Sequence, residues 1–169
     1  MIYMVEMALV DLSRRAEWDA WYLDHMRMLI GVPGIEATQR FEALAPHPSP
    51  FIALHQVTGA EVFTSAAYRA KAGPGSTGEW KSRMSNWHRN LFRGLDATPD
   101  VPTGGALVIV EEGASAPLPL VWLDAVGLDM SVKRRAIAAV AARAEAETLI
   151  GHPGLRVCKP LTPRLLAGD

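Results

Sequence analysis

The segment from Ser13 to Ile35, SRRAEWDAWYLDHMRMLIGVPGI, constrains the fold of this chain more than any other segment. Its aromatic and apolar residues recur with helical spacing, and at 100° per residue a narrow arc holds Trp18, Tyr22, His25 and Leu29. Ser13 is expected to cap this helix, and the Gly-Val-Pro-Gly sequence after Ile30 ends it. We therefore predict an amphipathic helix whose buried face carries a histidine.

Short apolar segments on both sides of this helix predict β-strands. Residues 2–10 are mostly apolar, as in a strand that is buried on both faces. Residues 35–44 alternate between apolar and polar side chains, and Arg40 lies on the polar face. A third strand over 51–57 carries His55. These features predict a strand-helix-strand-strand unit at the start of the chain.

Further along, residues 61–71 predict a short helix, which is followed by the flexible loop GPGSTG at 73–78. Ser76 and Glu79 have the spacing of a capping box. They predict a helix whose regularly spaced residues are Trp80, Met84, Trp87, His88 and Leu91. A short strand near 91–95 follows. The tryptophans around GPGSTG favour a pocket that this loop closes.

A linker-like composition divides the chain into a first half at 1–96, a linker at 97–105 and a second half at 106–169. The second half predicts an alanine-rich helix at 132–149. It also predicts strands at 106–112, 119–127 and 154–160, followed by a peripheral tail.

Two pairs of similar segments indicate an internal repeat. VEMALVDLS at 5–13 matches LDAVGLDMS at 123–131, and IGVPGI at 30–35 matches IGHPGL at 150–155. Because the two matches have offsets of 118 and 120 residues, they favour duplication. The second copy lacks the aromatic residues and the histidine, so the first half is expected to carry the site.

Composition narrows the possible partners. The chain has 169 residues, 49% of them hydrophobic, and a formal net charge of -1 with both signs interspersed. Binding to nucleic acid or to a membrane surface is therefore not expected. Because the chain has a single cysteine and no metal-binding motif, we expect no metal site. The absence of a leader-like segment predicts that the protein is located in the cytoplasm.

Several motifs in residues 1–95 resemble the EthD-like branch of the dimeric α+β barrel superfamily. They are Trp21-Tyr22 with His25, Val32-Pro33-Gly34, Arg40-Phe41, Ser65 with Tyr68-Arg69, and Asn90 with Arg93. The resemblance implies an α+β fold of tandem ferredoxin-like halves whose antiparallel sheets form a barrel, usually across a homodimer, with a degenerate second half here. Such relatives include cofactor-free monooxygenases, cyclases, isomerases, lyases and haem-binding enzymes.

The candidate catalytic residues are His25, His55, Tyr22 and Arg40. A neutral imidazole such as that of His25 can accept and return a proton near neutral pH, and apolar neighbours exclude competing water. Arg40 or Tyr22 would stabilise oxyanion charge. For His25 the structural alternative is a core histidine bonded to a backbone carbonyl, and for Arg40 it is an ion pair with Glu36, with Glu42 or with the partner of a dimer.

Candidate substrate-binding residues form an aromatic and basic set: Trp18, Trp21, Trp80, Arg83, Trp87 and His88. Together these residues predict a small cofactor-independent lyase, isomerase or cyclase that acts on a small aromatic or polyketide-like molecule in a barrel pocket. Two alternatives stay open. One is a haem protein ligated by His25, His55 or His88, and the other is a non-catalytic dimeric binding or accessory protein.

Overall fold

The computed structural model describes residues 1–72 and 74–168. The first part of the chain contains β1 (Ile2–Leu9), α1 (Arg15–Ile30), β2 (Ile35–Ala43), β3 (Phe51–Val57), α2 (Ala66–Lys71) and β4 (Met84–Arg93). The second part contains β5 (Ala106–Glu111), β6 (Val121–Leu128), β7 (Arg134–Val140), β8 (Leu155–Pro160) and β9 (Leu165–Leu166). Short 3-10 segments connect them at Leu12–Arg14, Ala60–Thr64, Pro74–Arg83 and Arg143–Leu149.

The strands form one closed antiparallel barrel. Eight of them follow each other in the order β3-β1-β4-β6-β7-β5-β8-β2, and pairing of β2 with β3 closes the circle, while β9 adds to β2. The first four strands have the order β2-β3-β1-β4 and the next four the order β6-β7-β5-β8, so both sets share the ferredoxin-like arrangement. The predicted α+β fold with ferredoxin-like halves is therefore confirmed, and the barrel closes within one chain.

The predicted division at 97–105 separates the two strand sets in sequence but not in the sheet. Pairing of β4 with β6 and of β2 with β8 joins the two halves into one barrel. The assignment of 1–96 and 106–169 as separate units stays a prediction, as does the homodimer.

Helix α1 begins differently from the prediction. The side chain of Asp11 accepts a hydrogen bond from the backbone N–H of Ser13 at 3.0 Å and caps a 3-10 turn that precedes α1. Ser13 is therefore not the cap. At the other end Gly34 has a φ of 91°, and an added Cβ would lie 2.6 Å from Val62. The turn into β2 therefore requires glycine at this position.

The predicted helix from Trp80 to Leu91 is wrong. A 3-10 segment ends at Arg83, and β4 occupies residues 84–93 because its backbone pairs with β1 on one side and β6 on the other. The helical spacing of the apolar residues is coincidental. In the strand Trp87, Arg89 and Leu91 alternate with side chains on the opposite face.

The predicted alanine-rich helix at 132–149 is also wrong. Residues 134–140 form β7, which lies between β5 and β6 in the sheet. Ala136 and Ala138 are buried there, so tertiary packing overrides the helix propensity of alanine. The predicted repeat aligns β1 with β6, but the two strands have different places in the sheet. β1 lies between two strands of its own half, whereas β6 lies at the edge of its half.

The barrel interior is filled by side chains. Its apolar core includes Ile2, Met4, Phe41, Ile52, Leu54, Phe92, Leu107, Ile109, Leu123, Ile137 and Cys158. Near one end Glu6 forms buried ion pairs with Arg135 and Arg156. Helix α1 packs on the outer face of the first half, where a second apolar cluster contains Tyr3, Val5, Met7, Trp18, Tyr22, Met26 and Leu29. Among the described residues, no helix has the length and apolar character needed to span a membrane.

Candidate active site

A cleft lies between α1 and the outer face of the first half of the sheet. Its walls are formed by Tyr3, Val5, Met7, Trp21, Tyr22, His25, Leu29, His55, Tyr68, Ala72, Ser76, Thr77, Met84, Trp87 and Arg89. The empty space is about 510 Å³ including the opening, of which about 40 Å³ can be occupied by the centre of a water molecule. The aromatic pocket thus lies outside the barrel rather than inside it, because core side chains fill the interior.

His25 projects from α1 into this cleft and is half-buried. Its ring stacks on Trp21 with 5.1 Å between ring centroids and an interplanar angle of 21°. No hydrogen bond joins either ring nitrogen to another part of the chain that the structure describes. Burial lowers the pKa of His25 to about 4. The imidazole is therefore neutral at pH 7, with nitrogen atoms free to meet a ligand.

His55 lies across the cleft on β3 and is 1% exposed. Its Nδ1 is 2.8 Å from Oγ1 of Thr38 on β2, and its ring stacks on Tyr3 at 5.1 Å. Burial, followed by the neighbouring charge of protonated His25, lowers the pKa of His55 to about 3. Two neutral imidazoles therefore lie on the walls of one cleft.

Tyr3, Tyr68 and Arg89 add polar groups to the cleft. The two tyrosine side chains lie near each other, and burial raises the pKa of both. The backbone N–H of Arg89 donates to Asp129 at 2.8 Å, and its guanidinium lies 3.3 Å from the same carboxylate. Sequence reasoning did not select Tyr3 or Arg89 for the site, and it noted Tyr68 only as part of a motif. The alternation along β1 and β4 is the signal that could have placed them.

Tyr22 lines the cleft as predicted, but Arg40 lies behind it. The Arg40 guanidinium is 4.1 Å from the ring centroid of Trp18 and 4.3 Å from that of Tyr22, and it donates to Asp19 at 2.6 Å. Arg40 is 2% exposed and is not part of the cleft wall. Its ion-pair partner is Asp19 rather than Glu36 or Glu42, because the strand face that carries it packs under α1.

Only some of the predicted substrate-binding residues line the cleft. Trp21 and Trp87 line the cleft, whereas Trp18 is fully buried beside Arg40. Trp80 packs against Trp21 at 5.9 Å and stays outside the wall. The two remaining candidates do not line the cleft. Arg83 forms an exposed ion pair with Glu79, and His88 is exposed in the middle of β4.

The loop expected to close the pocket does contribute to it. Ser76 and Thr77 line the cleft, in agreement with that prediction, while Gly73 of the same GPGSTG segment lies outside the described residues. Within the described ranges, no group of three or more His, Cys, Asp or Glu side chains is arranged to hold a metal ion.

Comparison with known proteins places the fold but not the chemistry. No family model and no curated protein matches the chain. A proposed monooxygenase from Lactobacillus acidophilus NCFM is similar over 99% of this chain and 96% of its own, with a TM-score of 0.56 and 9% identity. An anthrone oxidase-like protein is similar over 99% and 93%, with a TM-score of 0.59 and 6% identity.

These similarities concern the whole barrel. They do not test membership of the EthD-like branch, which stays a prediction. The chain therefore has a ferredoxin-like α+β barrel fold that it shares with these two structures.

Proposed function

We propose that the protein is an acid–base enzyme that removes a proton from a small, flat, aromatic ketone or phenol bound in the cleft beneath α1. The observation that carries the proposal is the state of His25. Its imidazole is half-buried beside aromatic rings, is neutral at pH 7 and has no hydrogen-bond partner among the described residues. A base in this state needs no rearrangement before it meets an acidic substrate.

The cleft supplies the surroundings that such a step needs. Trp21, Tyr22 and Trp87 offer aromatic surface to a flat ring, while the hydroxyls of Tyr3 and Tyr68 offer polar contacts. As the proton moves from the substrate to His25, negative charge forms on the substrate next to the new imidazolium. That charge raises the pKa of the imidazole and offsets the effect of burial, so proton transfer becomes more favourable as it proceeds.

The fate of the resulting anion separates the candidate reactions. Reprotonation at another atom gives isomerisation or cyclisation, whereas reaction with dioxygen gives oxidation. The descriptions of the two structural neighbours name a monooxygenase and an anthrone oxidase-like protein, which favours reaction with dioxygen in those proteins. For this chain we propose the shared first step, which is removal of the proton.

The proposed chemistry is cofactor-independent. Haem stays the alternative, because Thr38 engages only Nδ1 of His55 and Trp21 covers one face of His25 without occupying its nitrogen atoms. His88 is exposed in the middle of β4 and is not part of the cleft wall.

A purely structural role would be favoured by a cleft filled with side chains. The cleft instead retains open space between the side chains that line it, His25 among them. This supports small-molecule binding by the first half of the chain.

The test measures exchange of the methylene protons of anthrone with D2O under argon by proton NMR. The wild-type protein is expected to accelerate exchange over buffer. His25→Gln should reduce this acceleration by about 10²- to 10⁴-fold, which is the usual contribution of a positioned base. A parallel oxygen-electrode measurement in air shows whether the anion consumes dioxygen.

His88→Gln is the matched control, because His88 is exposed and outside the cleft wall. Its exchange rate should equal that of the wild type. Exchange that is no faster with wild-type protein than with buffer, or that is equally fast in His25→Gln, contradicts the proposal.

A further inference from the structure

The environment of Thr38 fixes the protonation pattern of His55. Thr38 is fully buried on β2, and its Oγ1 lies 2.8 Å from Nδ1 of His55. Within the described residues this ring nitrogen is the only hydrogen-bond partner of the Thr38 hydroxyl. The contact allows two arrangements, which differ in which atom donates the proton.

If Nδ1 of His55 donated, the hydroxyl proton of Thr38 would have no acceptor. A buried donor without a partner costs about 1–3 kcal/mol. If the Thr38 hydroxyl donates to Nδ1, that pair is satisfied, and the proton on Nε2 can meet water or a ligand in the cleft that His55 lines. The second arrangement is therefore favoured, and it leaves the single proton of the neutral ring on Nε2.

The position of the ring determines what this proton can reach. Thr38 engages Nδ1 and Tyr3 stacks on the ring at 5.1 Å, so Nε2 is the polar atom that His55 can present to the cleft. The ring is 1% exposed and held by both contacts, so this donor is fixed before a ligand binds. A fixed donor in a site with little water stabilises developing negative charge well.

We propose that Thr38 holds His55 as the Nε2–H tautomer, and that this N–H donates a hydrogen bond to the carbonyl oxygen of the substrate. This inference rests on the proposed function and assigns different roles to the two histidines. His25 takes the proton from a carbon conjugated with the carbonyl, which in anthrone lies across the central ring, and the electron pair of that C–H bond moves through the conjugated ring system so that negative charge forms on the oxygen. His55 hydrogen-bonds the oxygen and keeps its own proton, and Thr38 is a positioning residue.

The assignment also narrows the substrate class. A neutral donor at one wall and a neutral base at the other suit a ketone whose acidic C–H group is conjugated with the carbonyl, as in anthrone, where the two groups lie at opposite positions of the central ring. A substrate without a carbonyl oxygen would leave the His55 donor unused. We therefore expect anthrone to be processed faster than anthracene derivatives that lack the keto group.

The first test needs no substrate. In protein labelled with ¹⁵N at histidine, two-bond couplings to the ring protons show which nitrogen carries the proton at pH 7. His55 is expected to be neutral and protonated at Nε2 in the wild type. Thr38→Val removes the hydroxyl at similar volume and should shift His55 toward the Nδ1–H tautomer, whereas Thr38→Ser should keep the wild-type pattern. A wild-type spectrum with the proton on Nδ1 overturns the inference, even if Thr38→Val does not fold.

The second test uses anthrone exchange in D2O. Thr38→Val should lower the exchange rate by about 10²-fold, in the range for loss of one oxyanion donor, and Thr38→Ser should restore it. A Thr38→Val rate equal to wild type overturns the role of Thr38. Failure of this inference and failure of the proposed function are distinguishable, because the latter appears as no wild-type exchange or no effect of His25→Gln.

Discussion

Replacement of Glu6 by glutamine is expected to lower the free energy of unfolding by about 3–5 kcal/mol. Glu6 is 4% exposed inside the barrel, where it lies 2.7 Å from Arg135 and is also hydrogen bonded to Arg156. Burial raises the pKa of Glu6, but the two arginines have the larger combined effect and lower it. The neutral amide would leave Arg156 without a buried counter-charge and Arg135 with only the partly exposed Glu111.

Urea denaturation followed by tryptophan fluorescence measures this effect. Glu79→Gln is the matched control, because Glu79 pairs with Arg14 and Arg83 but is 56% exposed. Exposed pairs contribute less than about 1 kcal/mol, so the control should stay close to wild type. A Glu6→Gln variant within 1 kcal/mol of wild type would show that the cluster does not hold the barrel together.

The free energy of unfolding is expected to fall by about 3 kcal/mol between pH 6.5 and pH 5 because of His25 and His55. Their pKa values are about 4 and about 3 in the folded protein, both lowered first by burial. An unfolded histidine has a pKa near 6.5, so in this interval the unfolded chain takes up protons that the folded protein does not. Each histidine therefore contributes a slope of about 0.7 kcal/mol per pH unit at pH 6.5, which approaches about 1.4 kcal/mol per pH unit near pH 5, and stability decreases as the pH falls.

The difference between wild type and a His25→Gln, His55→Gln double variant isolates this contribution. The pKa of His47 is also lowered, by burial and then by Arg156, and His47 adds a loss in the same direction to both proteins. His152→Gln, in an exposed turn, should keep the wild-type slope. Equal slopes in wild type and the double variant would mean that the two imidazoles are already protonated or solvated in the folded protein.

The first three strands and α1 could be predicted because their patterns are unambiguous. Residues 51–57 are a short apolar segment between turn residues, and the aromatic arc around Trp18 has a clear helical period. The strands at 84–93 and 134–140 could not be predicted. Locally, the tryptophans at helical spacing in the first segment and the alanines in the second favour a helix. Their pairing with strands distant in sequence decides the outcome, and one sequence does not reveal that pairing.

The candidate site was predictable only in part, for a related reason. His25 and Tyr22 lie on a helix face that the sequence defines. Tyr3 enters the site because β1 pairs with β3 in a register that places it opposite His55. Arg40 was expected at the pocket because it lies on a polar strand face. In the structure that face lies under α1, where aromatic rings and Asp19 hold the guanidinium.

The most direct test of the central claim is the ¹⁵N spectrum of the histidine rings during titration with 1-naphthol at pH 7. The account predicts that His25 and His55 are neutral and that both signals shift on binding, because both line the cleft. The signals of His88 and His152 should stay unchanged. Shifts confined to those exposed histidines, or a protonated His25 at pH 7, would contradict an aromatic-binding, acid–base site beneath α1.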